Sequence, residues 1–205
     1  MRLREQVRRW GVDGIDIVQL REKGRESGDL FALAEAAMAA LRVAAGGTGE
    51  RGRTGGEART RLVVNGRADV AAAAGADGVH LTSRTGELRP EQVRAIFAAA
   101  GLRQCLVSVS CHALEEVRAA REAGADVILY GPVFGKWVGG ERVTEGAGLE
   151  QLRLACAAAG EVPVLALGGV TAETIENCVA AGAAGVAGIR LFGGSGGQGL
   201  GQPVA

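Results

Sequence analysis

A chain of 205 residues is long enough to bury a full core, and one domain is the default. Its 23 basic residues balance 23 acidic ones, which removes the electrostatic case for nucleic acid or an anionic membrane surface. Apolar residues make up 47 %, but no apolar run is long enough to span a bilayer, and the opening MRLREQVRRW has no signal-peptide core, so the chain reads as cytoplasmic.

In chain order, a helix comes first, with Leu3, Val7 and Trp10 at helical spacing. Seven short apolar strands follow: Ile15–Leu20, Arg61–Val64, Gly78–Leu81, Cys105–Val109, Val127–Gly131, Val162–Leu167 and Gly185–Ile189. Their apolar residues are consecutive, as in strands buried on both faces. Helices are expected between them at Asp29–Ala44, Ala68–Ala74, Pro90–Ala100, Leu114–Ala123, Leu149–Ala159 and Thr171–Ala181. Pro90 suits a first helical turn and Thr171 an N-cap. No helix is expected after Ile189. Four cysteines (Cys105, Cys111, Cys156 and Cys178) stand singly, which reads as reduced thiols with no metal site.

One phrase recurs: Gly11-Val12-Asp13-Gly14, Gly75-Ala76-Asp77-Gly78, Gly124-Ala125-Asp126-Val127 and Gly182-Ala183-Ala184-Gly185. Each ends a helix on a glycine suited to the left-handed C′ position and launches a strand. The copies lie about two βα units apart, as expected if they mark every second strand of a closed barrel. Strands alternating with helices imply a parallel sheet. The expected fold is therefore α/β, a (β/α)8 TIM barrel whose first strand and last helix are missing or altered; a doubly wound open sheet is the rival. Residues 1–192 form the expected domain, with a flexible Gly-rich insertion at 45–61 and a Gly-rich tail at 193–205.

Function in such a fold gathers at the carboxyl ends of the strands. After the first visible strand, alternation places Gln19, Arg21 and Lys23 on one side, where they suit a phosphate or carboxylate. Asn65-Gly66-Arg67 is a site candidate or simply a turn. His80, within a strand, is read as structural. Ser110, Cys111 and His112 end another strand, and His112 opens the next helix; an imidazole there suits proton transfer, with helix capping as the alternative. Adjacent residues rarely face each other, so a Cys111–His112 nucleophilic pair is disfavoured. Gly168-Gly169 and Gly188-Ile189 sit after the last two strands, where this fold usually binds phosphate on backbone N–H groups.

Taken together, Gln19-Leu20-Arg21-Glu22-Lys23, Gly75 to Leu81, Ser110 to Glu116, Gly131-Pro132-Val133-Phe134 and Gly168-Gly169-Val170-Thr171 resemble the thiamine phosphate synthase/TenI family, from about Gly11 to Ile189. The resemblance implies one of two reactions. A synthase joins a pyrimidine pyrophosphate to a thiazole phosphate, with Mg2+ held by aspartates. A TenI-type tautomerase aromatises a carboxythiazole phosphate by proton transfer and needs no metal.

The chain departs from the synthase pattern at three places. Gly66 replaces the aspartate of Asn-Asp-Arg, Thr82-Ser83-Arg84-Thr85 replaces Gly-Gln-x-Asp, and Gly135-Lys136-Trp137-Val138 replaces the phosphate-gripping Pro-Thr-x-Thr-Lys loop. Asn65-Gly66-Arg67 and Ser110-Cys111-His112-Ala113-Leu114-Glu115-Glu116 are similar to the tautomerase pattern.

The expected activity is thus the tautomerase, with no cofactor. Mg2+ enters only if the synthase alternative holds, with Glu87 or Glu22 as substitute ligands. A third reading is a precursor-binding regulator without turnover. The expected base is His112. Gln19, Arg21, Lys23, Asn65, Ser110 and Lys136 are expected to hold substrate, and Gly168, Gly169, Gly188 and Ile189 its phosphate. The expected partner is a small phosphate ester, with no nucleic acid or membrane; a homodimer is compatible with the sequence.

Overall fold

The structure is a computed structural model that describes residues 2–46, 59–84, 86–138 and 141–192. It opens in helix α1 (Arg2–Asp13). The strands β1 (Ile17–Leu20), β2 (Arg61–Asn65), β3 (Gly78–Thr82), β4 (Leu106–Cys111) and β5 (Val127–Tyr130) follow, with α2 (Ser27–Gly46), α3 (Ala68–Ala73), α4 (Pro90–Ala99) and α5 (Leu114–Glu122) between them. A hairpin, β6 (Lys136–Val138) and β7 (Glu141–Thr144), precedes α6 (Gly148–Ala159). The chain then runs through β8 (Val164–Leu167), a 3-10 turn at Ala172–Thr174, α7 (Ile175–Ala180), β9 (Gly185–Ala187) and α8 (Ile189–Phe192).

Seven strands pair in parallel in the order β1-β2-β3-β4-β5-β8-β9. A doubly wound sheet would reverse its strand order, and this one does not. The sheet is curled, as two apolar clusters show. One joins the helices to the sheet's outer face, through residues such as Trp10, Leu41, Phe97, Val117 and Leu152. The other lines the inner face and unites Ile17 of β1, at one end of the sheet, with Ala187 of β9, at the other. Those strands meet only if the sheet bends round on itself. The fold is a TIM-barrel-like α/β sheet of seven parallel strands.

β1 and β9 do not pair with each other, so the seam expected from the sequence lies between them. Across it, the buried Trp10 donates its indole N–H to the Phe192 carbonyl at 2.8 Å. Phe192 closes α8, a single helical turn where no final helix was expected. The insertion was also drawn too wide. Ala45 and Gly46 finish α2, and Arg61 opens β2. Thr60 is buried, with its hydroxyl on the Ile15 carbonyl at 2.6 Å. The remainder of that stretch, 47–58, and the 193–205 tail lie outside the described residues.

The recurring Gly-Ala-Asp phrase has a physical role at the amino ends of the strands. Asp77 accepts the Leu62 amide at 2.8 Å, and Asp126 accepts the Val107 amide at 2.7 Å. Each carboxylate also meets an arginine, Arg59 or Arg94. Amides near the start of one strand that would be orphaned are thus satisfied by the aspartate that leads into the next strand.

Candidate active site

The carboxyl ends of the strands carry a polar interior unlike the apolar layer below. Gln19 is buried and donates through Nε2 to Asn65 Oδ1 at 3.2 Å. Registry places Asn65 beside His80, His80 beside Ser108, and Thr82 beside Ser110. His80 is 5 % exposed and holds Ser108 Oγ through Nδ1 at 2.9 Å and Ser110 Oγ through Nε2 at 2.8 Å. Burial, aided by the nearby Arg21 charge, pushes its pKa down to about 4, so the ring is neutral.

β1 ends at Leu20, and the chain turns at Lys23-Gly24, so the extended alternation invoked for Lys23 stops short of it. Arg21 is half-buried and close enough to bias His80, while Lys23 is exposed. Arg67 is committed elsewhere, to Asp69 at 2.6 and 2.9 Å and to Ser27 at 2.8 Å. Lys136 opens β6, within a hairpin that the sequence reading took for a loop.

His112 lies two residues before α5, whose N-cap is Ala113. Its Nδ1 bonds the carbonyl of Gly131, the residue after β5. A carbonyl oxygen only accepts, so Nδ1 carries a proton, and Nε2 is the ring nitrogen left to take one up. The cap reading belongs instead to Glu116, whose carboxylate takes the His112 amide at 2.5 Å and the Ala113 amide at 3.3 Å. Burial pushes the Glu116 carboxyl up. The His112 amide, the Ser83 hydroxyl, the Ala113 amide and the His112 ring outweigh it and leave the group below its ordinary value.

The neighbouring Cys111 is fully buried, and burial, with Glu116 nearby, pushes its thiol up to about 12. It is no nucleophile at neutral pH.

The glycine turn adjoins His112 through one short segment. Phe134 donates its amide to the Gly168 carbonyl at 2.9 Å, and Val133 donates to the Leu167 carbonyl at 2.8 Å. Gly168 and Gly169 adopt φ of 91° and 68°, and a Cβ on them would stand 2.6 Å from Pro132 Cβ and 2.7 Å from Phe134 Cβ. Both glycines are therefore required by backbone shape and close packing, whatever else they bind. The segment after β5 thus ties the His112 ring and the Gly168–Gly169 turn to one rim. Gly188 follows β9, and Ile189 begins α8, at the same end of the sheet.

The Mg2+ that the synthase pattern implies does not fit these donors. Position 66 has no side chain. Of the nearby carboxylates, Glu87 accepts the Thr82 amide at 3.0 Å, and Glu116 is held as described. Glu22 pairs with Arg25 at 3.6 Å. Among the described residues no three His, Cys, Asp or Glu side chains converge as a metal site.

The sequence reading missed the tie between His80 and the two serines. Its signal was the alternation of Ser108 and Ser110 on β4, which puts both on one face beside a strand histidine.

Fold and rim define a parallel α/β barrel protein with polar groups gathered at the strand ends. The chain belongs to the thiamine monophosphate synthase family, whose model matches residues 1–192. It is 40 % identical over 177 residues to a Geobacter sulfurreducens protein named "Putative thiamine-phosphate synthase", covering 85 % of this chain and 71 % of that one. It is 36 % identical to the thiamine-phosphate synthase of Mycobacterium leprae, covering 87 % and 72 %. Among solved structures, thiamine phosphate pyrophosphorylase from Pyrococcus furiosus matches with a TM-score of 0.69 at 24 % identity, over 89 % of this chain and 77 % of that one, which supports the fold. These names favour the synthase alternative over the tautomerase expected from the sequence. No helix among the described residues is long and apolar enough to cross a membrane.

Proposed function

We propose that the chain acts on a carboxythiazole phosphate in thiamine biosynthesis, aromatising it by a proton shift. The observation that carries this reading is the bond from His112 Nδ1 to the Gly131 carbonyl, which leaves Nε2 as a base at the strand-end rim. Nε2 takes the proton from the ring carbon, and the C–H electron pair becomes a new ring double bond. The ring's existing double bond moves one place toward the exocyclic alkene, whose π pair forms a new C–H bond at its outer carbon with a proton from the imidazolium or from solvent. No atom leaves and no oxidant is needed.

Phosphate is assigned to the Gly168–Gly169 turn and to the amides of Gly188 and Ile189. Arg21 and Lys23 meet the carboxylate, and Gln19, Asn65, Ser110 and Lys136 complete the substrate contacts. The donor set supports a reaction without a hard cation, because proton transfer produces no pyrophosphate whose charge must be neutralised.

The relatives' names support a second reading, coupling of a pyrimidine pyrophosphate to a thiazole phosphate. It would require arginine and lysine to take over the role of the metal. One pair of assays separates the two: purified protein is given the carboxythiazole tautomer alone, then pyrimidine pyrophosphate with thiazole phosphate and Mg2+. Aromatic thiazole in the first assay and no thiamine phosphate in the second is the expected result. The reverse outcome overturns the proposal in favour of coupling.

A further inference from the structure

A histidine and a serine buried inside a barrel need a reason, because apolar side chains of similar size would cost less to bury. His80 and Ser108 are 5 % and 2 % exposed, and with Gln19 they supply the polar wall of an otherwise apolar cavity of about 10 Å³. That space is at the limit of what one water fills.

The hydrogen-bond inventory fixes which way the relay runs. A neutral imidazole offers one donor and one acceptor, so its two serine partners take opposite roles. If Nδ1 carried the proton, Ser108 would accept it, and the serine's own hydrogen would need another acceptor, but Ile17, Val63, Leu129 and Leu165 around the cavity are apolar and Gln19 is bonded to Asn65 rather than to Ser108. An unsatisfied buried donor is costly. If Nε2 carries the proton, Ser108 donates to Nδ1 and is satisfied, and Nε2–H donates to Ser110. The Ser110 oxygen is then occupied from below, and its O–H is left to donate upward. Ser110 is half-buried at the end of β4, two residues before His112.

We propose that His80 is a positioning residue that works through Ser110, orienting its hydroxyl as a donor to an anionic group of the bound substrate. The inference rests on the reading of the strand-end rim as the substrate site and deepens it, since it specifies an oxyanion opposite Ser110. His80 itself transfers no proton. Its neutrality, enforced by burial and by Arg21, keeps the donor direction constant over the physiological pH range.

The test is a double-mutant cycle read by calorimetric binding of thiazole phosphate, a compound both readings accommodate, with turnover measured alongside. Ser110→Ala and His80→Phe each weaken binding about tenfold, the worth of one hydrogen bond to a charged group. The double variant is no weaker than Ser110→Ala alone, and His80→Gln, which keeps an N–H donor, recovers most of the loss. Additive losses overturn the inference, because they show His80 acting by packing rather than through Ser110.

Should His80→Phe fail to fold, nitrogen NMR of the wild-type imidazole decides. A neutral ring protonated at Nε2 across about pH 6–8 supports the relay, and a charged ring or an Nδ1–H tautomer overturns it. Absence of thiazole phosphate binding by the wild-type protein defeats the substrate-site reading and the inference together. Binding by the wild type with unaltered binding in both single variants defeats the inference alone.

Discussion

The imidazole of His112, at the end of one strand's loop, is anchored on the carbonyl of Gly131, at the end of the next. That cross-strand tie holds the ring while leaving the residue itself exposed. His112→Asn should therefore lower conversion of the carboxythiazole phosphate by roughly 10²–10⁴-fold. Its urea midpoint should change by less than about 1 kcal/mol in stability, as for most exposed positions. Absorbance or NMR follows the conversion, and undiminished turnover removes His112 from the chemistry.

The residue that supplies this carbonyl, Gly131, is a glycine for a packing reason. A Cβ there would stand 2.1 Å from the Leu167 carbonyl oxygen, a backbone atom that cannot swing away. Gly131→Ala should destabilise the fold by about 1–3 kcal/mol as β5 and β8 are forced apart. It should also reduce turnover beyond what the stability loss explains, because the acceptor beneath His112 moves. Equal turnover per folded molecule would detach the carbonyl from catalysis.

Much of this was legible in the sequence, for physical reasons. Strands such as Leu106–Cys111 announce themselves because burial on both faces demands consecutive apolar residues. The opening helix was readable too, since Leu3, Val7 and Trp10 keep a helical period. The hairpin of β6 and β7 was missed although Gly139-Gly140 between two strand-like stretches is hairpin chemistry. α8 was missed because one turn leaves no periodicity to read. Of the rim, His112 was legible from its residue type and place. Its anchor at Gly131 was not, because a backbone carbonyl leaves no mark in a sequence.

The two aspartates of the recurring phrase allow a stability comparison free of catalysis. Leu62 and Val107, whose amides they accept, are both fully buried, so the difference lies in the carboxylates: the Asp77 side chain is 10 % exposed against 39 % for Asp126. Asp77→Ala strands a buried donor and should cost about 1–3 kcal/mol, whereas Asp126→Ala, more open to water, should cost less. Urea denaturation of the two variants measures both. Equal costs would show that the arginine partners, rather than the strand amides, set the value.

Chelation bears on the choice between the two reactions. Gly66 offers no carboxylate, while Glu87 and Glu116 are engaged with backbone amides. Turnover of the carboxythiazole phosphate should be unchanged after EDTA treatment and unchanged on adding Mg2+. A rate that collapses with EDTA and returns with Mg2+ would reassign these carboxylates as ligands and favour coupling.

Glu116 makes the start of α5 sensitive to acid in a direction that can be worked out. Its carboxyl titrates below its ordinary value in the folded chain, held there by amide bonds that need the charged form. A depressed folded value contributes stability that is full above the unfolded value, about 4.3, and is lost as pH falls through the folded one. Glu116→Gln should therefore be less stable than wild type near neutrality, by about 1 kcal/mol for a lost helix-start acceptor. The gap should narrow as pH drops below about 4.3, since the wild-type carboxyl then becomes neutral as well. Urea midpoints of both proteins, taken in steps down through that range, measure it. A gap that stays constant would mean that the shape of the Glu116 side chain, and not its charge, holds the His112 amide.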